Sequence, residues 1–191
     1  MEDTDVVVVA RARDGDSDAF RLLVDRHSRS IFRLACRMTG SEQDAEDLVQ
    51  ETFLRAYRNL DLFQERANFG TWLYRIAVNC SLDWLRKRRP YEELNENIQP
   101  DYEGSEPVKN STGTNPDRMI LQLEVREQVT AALGELSPVE KAAFVLRHFE
   151  GMSIEEISGT LGLRSNAAKH SIFRAVRKMR RALAPIASLA E

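Results

Sequence analysis

Ser153-Ile-Glu-Glu-Ile-Ser-Gly-Thr-Leu-Gly-Leu-Arg-Ser165 leads directly into a stretch whose charges are all positive. Ser153 with Glu156 three residues later is a capping box, which gives the first helix a defined start. Gly162 supplies a turn, and a longer basic helix follows. Together these read as helix-turn-helix DNA binding. Arg164, Lys169, Arg174, Arg177, Lys178, Arg180 and Arg181 stand in this second helix with no Asp or Glu among them. The whole chain has a formal net charge of -3, so this basic run is a local site for phosphates and not a consequence of composition.

At about 100° per residue, Ile172, Val176, Met179, Leu183 and Ile186 fall on one stripe, predicted to be the core face. Asn166, His170, Phe173, Arg174, Arg177 and Arg181 fall opposite. Hydrogen-bonding groups, cations and one aromatic ring on an outward face are the chemistry that base reading in a major groove needs. The bland alternative is a solvated basic helix with a stray Phe173. The capped helix and glycine turn immediately upstream weigh against it.

The 191 residues suffice for one large or two small domains, and 42% hydrophobic content permits proper cores. No run approaches the roughly 18 apolar residues of a membrane span. Val6–Ala10 is too short for a signal peptide and follows acidic residues instead of basic ones. The expected class is therefore a soluble intracellular regulator with no membrane insertion. Cys36 and Cys80 sit beside apolar neighbours in helical patterns, which predicts two reduced thiols in place of a disulfide.

Charge is distributed unevenly along the chain. Residues 1–90 hold fifteen basic and fifteen acidic side chains, whereas residues 91–117 hold seven acids against Lys109 alone; residues 118–191 hold eleven bases and eight acids. The middle segment also contains Pro100, Pro107, Pro116, Gly104 and Gly113 and has no sustained apolar period, so it reads as a flexible acidic linker. The predicted fold class is all-α: an N-terminal extension (1–12), a helical domain (13–90), a linker (91–117) and a second helical domain (118–187). No segment shows convincing period-two alternation, so no sheet is expected.

Three main helices are expected in the first domain. The first starts near Asp16 to Asp18 and ends at Gly40. The second follows Ser41 and runs to about Leu60. The third runs from about Arg66 to Arg89 and stops at Pro90, which lacks the N–H to continue it. In the second helix Ala45, Leu48, Val49, Thr52, Phe53, Ala56 and Leu60 form a core face. Asp47, Gln50, Glu51, Leu54 and Arg58 lie opposite, with Asp44 at the edge. Leu54 ringed by acids, an amide and an arginine reads as a small protein-docking surface, although a lone exposed Leu is also ordinary.

The third helix has two apolar stripes, one of Phe69, Trp72, Leu73, Ile76, Ala77, Cys80 and Trp84, the other of Val78, Leu82 and Leu85. A polar strip between them carries Arg75, Asn79 and Arg86, and the helix ends in Arg86-Lys-Arg-Arg89. Cations at a helix C-terminus are favourable without any function. Four in succession, Arg88 and Arg89 included, exceed that need and point to a second nucleic-acid contact. Trp72 is either core, which the pattern favours, or a base-stacking platform.

Asp44-Ala-Glu-Asp-Leu-Val-Gln-Glu-Thr-Phe-Leu-Arg-Ala-Tyr-Arg58, then Phe69-Gly-Thr-Trp-Leu-Tyr-Arg-Ile-Ala-Val-Asn79, then the helix-turn-helix, resemble a bacterial RNA polymerase sigma factor of the extracytoplasmic-function type, group 4 of the sigma-70 family. The resemblance covers about residues 13–89 and 118–186 in the family's order. It implies that the first domain is region two, which docks on core polymerase and opens the minus-ten element, and that the second is region four, which reads the minus-thirty-five element. Asp44, Asp47, Gln50, Glu51 and Leu54 match the family's docking surface. Asn79 matches the position that helps hold a flipped minus-ten base, with the loop Leu62–Asn68 nearby. Lys169, His170, Phe173 and Arg174 match recognition-helix contacts. The implied partners are core RNA polymerase through its beta and beta-prime subunits, promoter DNA and an anti-sigma factor. No cofactor is implied. Ala167-Ala168-Lys169-His170-Ser171 departs from the commoner Gly-Thr-Val before a basic-Ser-basic run, so the preferred promoter does not carry over.

A helix-turn-helix repressor or response-regulator output domain would explain residues 118–191 and leave the first domain's surfaces unexplained. A sigma-like scaffold that does not initiate transcription is opposed by Arg75, Asn79 and the Arg86–Arg89 cluster. His27, His148 and His170 are scattered without metal-ligand spacing, which argues against an enzyme or a metal site.

Overall fold

The computed structural model describes residues 4–64, 68–92 and 116–187, and every regular element among them is helical. The chain divides into two compact units, Met1–Ile98 and Gln99–Glu191. The acidic linker lies almost wholly outside the described residues.

The first unit begins with α1, Asp5–Arg13, in the stretch the sequence marks only as an extension. Val8, Val9 and Ala12 of α1 are buried, and α1 packs on α2, Ser17–Thr39. Asp5 of α1 bonds His27 of α2 at 2.7 Å and Arg26 at 3.0 Å, which fixes the pair. The start of α2 is set by Asp16, whose side chain accepts from the Ala19 N–H. Its end is set by Gly40, which takes a left-handed φ of 79° that a side chain would oppose.

Ser41 caps α3, Glu42–Arg58. The chain then makes a 3-10 turn at Leu60–Leu62 before α4, Phe69–Glu92. α2, α3 and α4 pack pairwise on one another. One cluster joins Ala35 of α2, Ala45 and Leu48 of α3 and Cys80 of α4, flanked by Phe32, Cys36, Ile76 and Trp84. Val78 and Leu82 of the second α4 stripe are buried as well. A helix wedged between neighbours must be apolar on two sides, which accounts for its double stripe. Gly70 stands where α4 approaches α2: a Cβ there would meet the His27 ring carbon at 3.3 Å.

Pro90 does not end α4, which continues to Glu92 and so corrects the expected stop. Proline removes one backbone bond to the carbonyl four residues earlier, but its fixed φ is helical, and so near the terminus a single lost bond does not break the helix.

The second unit comprises α5, Pro116–Gly134; α6, Pro138–His148; α7, Ile154–Leu161; and α8, Ser165–Ala187. α6 and α7 each begin in a complete capping box, Ser137 with Glu140 and Ser153 with Glu156. α7 ends at Gly162, with φ 64° and its N–H bonded to the Ser158 carbonyl. The Leu163 N–H also reaches the Ser158 carbonyl, at 2.9 Å, the wrap-around bond of a Schellman turn. Ala132, Leu133 and Leu136 pack with Ala175 and Met179 of α8, and Val129, Phe144, Ala182 and Leu183 surround them.

The core line of α8 differs from the expected one. Ala168, Ser171, Ala175 and Met179 are its buried residues, while Ile172 and Val176 are only half-buried, Leu183 flanks the core and the side chain of Ile186 lies outside the described residues. Small residues let the helix sit close against its neighbours. Hydrophobicity alone hides such a line, because it weights Ile and Val above Ala and Ser.

Candidate nucleic-acid and protein interfaces

α3 presents its two faces as the sequence requires. Ala45, Leu48, Thr52, Phe53 and Ala56 are buried, whereas Asp47, Gln50, Leu54 and Arg58 are exposed along the opposite line. Leu54 is 50% exposed. Asp44 and Glu51 are half-buried and already engaged. Asp44 bonds Arg88 of α4 at 2.8 Å, and Glu51 bonds Arg55 at 2.6 Å, with Arg55 continuing to Asp83 at 3.3 Å. The Glu51 hydrogen bond is the main reason that the Arg55 guanidinium is harder to deprotonate than usual. The outward part of this face is therefore Asp47, Gln50 and Leu54, framed by two ion-paired bridges to α4.

On α4 the expected polar strip is present: Arg75, Asn79 and Arg86 are exposed. Arg86 leans toward Asp83 at 3.6 Å. Arg88 behaves differently, since it is paired with Asp44 and lies 4.9 Å from the Trp84 ring centre. The side chain of Arg89 lies outside the described residues. Trp72 is half-buried in an aromatic cluster, with its ring 5.4 Å from Phe63 and 5.7 Å from Phe69. It is thus partly core, with one side left accessible.

Arg13 is invisible to sequence reading as a site residue. Its guanidinium donates to the Leu60 carbonyl at 3.0 and 3.1 Å and also to the Phe63 carbonyl. α1 thereby pins the turn that leads to α4, and Leu62, 70% exposed, projects from that turn. No local pattern announces a bond spanning almost fifty residues. In the loop Leu62–Asn68, residues 65–67 lie outside the described residues; Asn68 accepts from the Gly70 N–H at 2.8 Å and helps to start α4.

Arg164, just before α8, and Asn166, Lys169, His170, Phe173, Arg174, Arg177 and Arg181 along it are all exposed, as expected. Phe173 is 68% exposed, which is unusual for its size. Arg174 and Lys178 both meet Glu140, a carboxylate buried at the start of α6. The Ser137–Glu140 spacing makes the capping box readable in the sequence; the long-range pairing is not. Among the described residues no group of His, Cys, Asp and Glu is arranged to hold a metal, and Cys36 and Cys80 are unbridged. Burial pushes the Cys80 thiol up, so it is less ready to ionise.

Residues 23–91 match the family model for Sigma-70 region 2, and residues 126–179 match that for Sigma-70, region 4. The chain belongs to the sigma-70 family. The ECF RNA polymerase sigma factor SigW of Bacillus subtilis is 32% identical over 180 residues, covering 92% of this chain and 94% of SigW. The ECF RNA polymerase sigma-E factor of Escherichia coli K12 is 35% identical over 175 residues, 90% of each chain. Among solved structures, CnrH in complex with the cytosolic domain of CnrY superposes with a TM-score of 0.64 at 29% identity, covering 96% of this chain and 99% of CnrH. RpoE of Bartonella quintana, solved with the anti-sigma factor NepR, shares the fold with a TM-score of 0.65 at 21% identity, covering 86% and 96% of the two chains. The protein is thus an alternative sigma factor of the extracytoplasmic-function type, which binds core RNA polymerase and directs transcription initiation at promoters. Like other sigma factors it is a DNA-recognition factor. Among the described residues no helix is long and apolar enough to cross a membrane.

Proposed function

We propose that this sigma factor recognises promoters through two weak sites joined on one chain. Asp47, Gln50 and Leu54, with Asp44 and Glu51 behind them, dock on core polymerase. Arg75, Asn79 and Arg86, with Trp72, engage and open the minus-ten element, and Arg88 and Arg89 contribute to the same contact. Arg164, Asn166, Lys169, His170, Phe173, Arg174, Arg177 and Arg181 contact the minus-thirty-five element. His170, Phe173 and Arg174 face bases, and Arg181, farther along the helix, faces phosphate. Asn79 acts on an extruded base, and a protein pocket must offset the few kcal/mol of stacking lost there.

The observation that carries this reading is a pair of complementary faces in one chain. An exposed Leu54 stands among acids and an amide on α3, and the exposed face of α8 carries bases without acids. A repressor needs only the second. Joining the sites by residues 91–117 gives each a high effective concentration once the other is bound, so the free protein binds promoters poorly and polymerase fixes the spacing. The acidic linker enters a basic channel of the polymerase, where carboxylates stand in for RNA phosphates. An anti-sigma factor holds the protein inactive until it is released. Polymerase and promoter place the activity in the cytoplasm.

Run-off transcription with purified core polymerase on a randomised promoter library tests this reading. Enrichment of a two-element promoter with defined spacing is the expected result. Binding to core without any transcript would reduce the protein to a scaffold.

A further inference from the structure

Glu140 is an anomaly on the second unit. Its side chain is only 6% exposed, yet it lies in the first turn of α6 and faces the basic helix across the domain. One carboxylate oxygen accepts from the Ser137 N–H at 3.0 Å and from the Lys178 ammonium at 2.8 Å. The other lies 3.3 Å from Nε of Arg174. Burial resists ionisation most strongly here, but the bonds from Lys178 and Ser137 outweigh it and hold the group below the ordinary carboxylate range. A cap requires only the Ser137 contact. The two ion pairs are additional, and both reach residues of α8 one turn apart.

Arg174 is held on one edge and exposed on the rest, since 59% of its side chain is accessible. A guanidinium is a rigid planar fork with donors along more than one edge. With Nε 3.3 Å from the Glu140 carboxylate, the two terminal nitrogens remain for an outside acceptor. Two parallel N–H groups are what bidentate reading of guanine O6 and N7 requires. A buried carboxylate beside such an arginine restricts its rotamers before DNA arrives, so less ordering remains to be done on binding. It also adds one negative charge to a face that otherwise attracts any phosphate backbone.

We propose that Glu140 is a positioning residue for promoter specificity: it orients Arg174 for one minus-thirty-five base pair and restrains non-specific attraction by α8. This rests on the assignment of Arg174 to a base. The two effects have opposite signs when Glu140 is neutralised. Discrimination falls because Arg174 is loosened, while affinity for unrelated DNA rises because a negative charge is gone. A purely structural role would lower both.

The test uses the full chain with core polymerase on promoters that carry each single substitution in the minus-thirty-five element. Glu140→Gln keeps an oxygen for the Ser137 N–H and removes the charge. It should lose about fivefold or more of the preference at the base pair affected by Arg174→Ala, within the roughly 5- to 150-fold that a bidentate contact carries. Competition by non-promoter duplex should become more effective and more salt-dependent. Glu140→Asp keeps the charge but withdraws it by one methylene, so it should lose discrimination without that gain in non-specific binding. Circular dichroism melting establishes which variants fold. In an Arg174→Ala background, Glu140→Gln should change preference no further. Unaltered preference in both folded Glu140 variants, or loss spread evenly over every promoter, overturns the proposal. If Arg174→Ala itself leaves every base preference unchanged, the underlying base assignment is wrong.

Discussion

Leu54 gains its meaning from its neighbours. Half exposed on a helix whose other face is buried but for Val49, which is half-buried, it contributes nothing to the core. Leu54→Ala should weaken binding to core polymerase, measured by fluorescence anisotropy, by about thirtyfold if it is an anchor worth roughly 2 kcal/mol, while the melting temperature stays at the wild-type value. Asp47→Arg should act in the same direction. Glu51 is a poorer probe, because its replacement would also release Arg55 from the bridge to Asp83. Unchanged affinity in both the Leu54 and Asp47 variants would remove this face from the docking surface. Asn79 has a different signature. Asn79→Ala should leave duplex promoter recruitment intact and reduce open complex, read as permanganate reactivity of unpaired thymines. Normal melting with an unchanged minus-ten preference would exclude Asn79 from base capture. Arg13→Ala would remove the donor for two backbone carbonyls, a loss of about 1–3 kcal/mol if they stay buried, and should disturb opening indirectly by loosening the turn at Leu60–Leu62.

At the scale of single helices, sequence and structure agree where local chemistry sets the outcome. Asp16, Gly40, Ser41, Ser153 and Gly162 all bound helices as expected, because a cap is a bond between near neighbours. The face of α3 is readable for the same reason: its large apolar residues repeat at helical spacing. Three features are not readable. α1 carries a valine run with no clean polar face, so only its packing on α2 identifies it. Pro90 is overruled by its position near the end of α4. The core line of α8 runs through Ala168, Ser171 and Ala175, where close approach matters more than hydrophobicity. The contacts that sequence reading misses, those of Arg13 and Glu140, span 47 and 38 positions. The turn before α8 offers a direct test. Gly162 has φ 64°, and a Cβ added there would meet no atom within 4 Å, so Gly162→Ala meets backbone strain alone. It should cost roughly 1–2 kcal/mol, visible in urea unfolding, and Gly162→Asn should cost less. Ser153→Ala should cost about 1 kcal/mol. Glu156, held below its ordinary value of 4.5 chiefly by the Ser153 N–H, stabilises the folded state fully above that value. That contribution should fade as pH falls below it and be absent in Glu156→Gln.

Across the whole molecule, the decisive feature is the contrast between an acidic linker and the two units it connects. Residues 91–117 carry seven acids and one base, beside a balanced segment and a basic one. A charge run is usually only solvated, and a spacer needs no particular sign. Polymerase engagement would require one, because a basic channel attracts carboxylates as it attracts RNA phosphates, and salt screens that attraction. Changing Glu92, Glu93, Glu96, Asp101, Glu103 and Glu106 to Gln or Asn preserves length and removes six negative charges. If the linker occupies such a channel, the variant should bind core polymerase less tightly and with a shallower salt dependence, and the ratio of abortive to full-length transcripts should shift. Both folded units should melt as before. A spacer predicts wild-type affinity, salt slope and transcript ratio, because the effective concentration of one unit near the other depends on length and stiffness. Lengthening the linker with neutral residues separates the contributions: reach alone should change promoter-spacing tolerance, whereas charge alone should change core affinity and early RNA release.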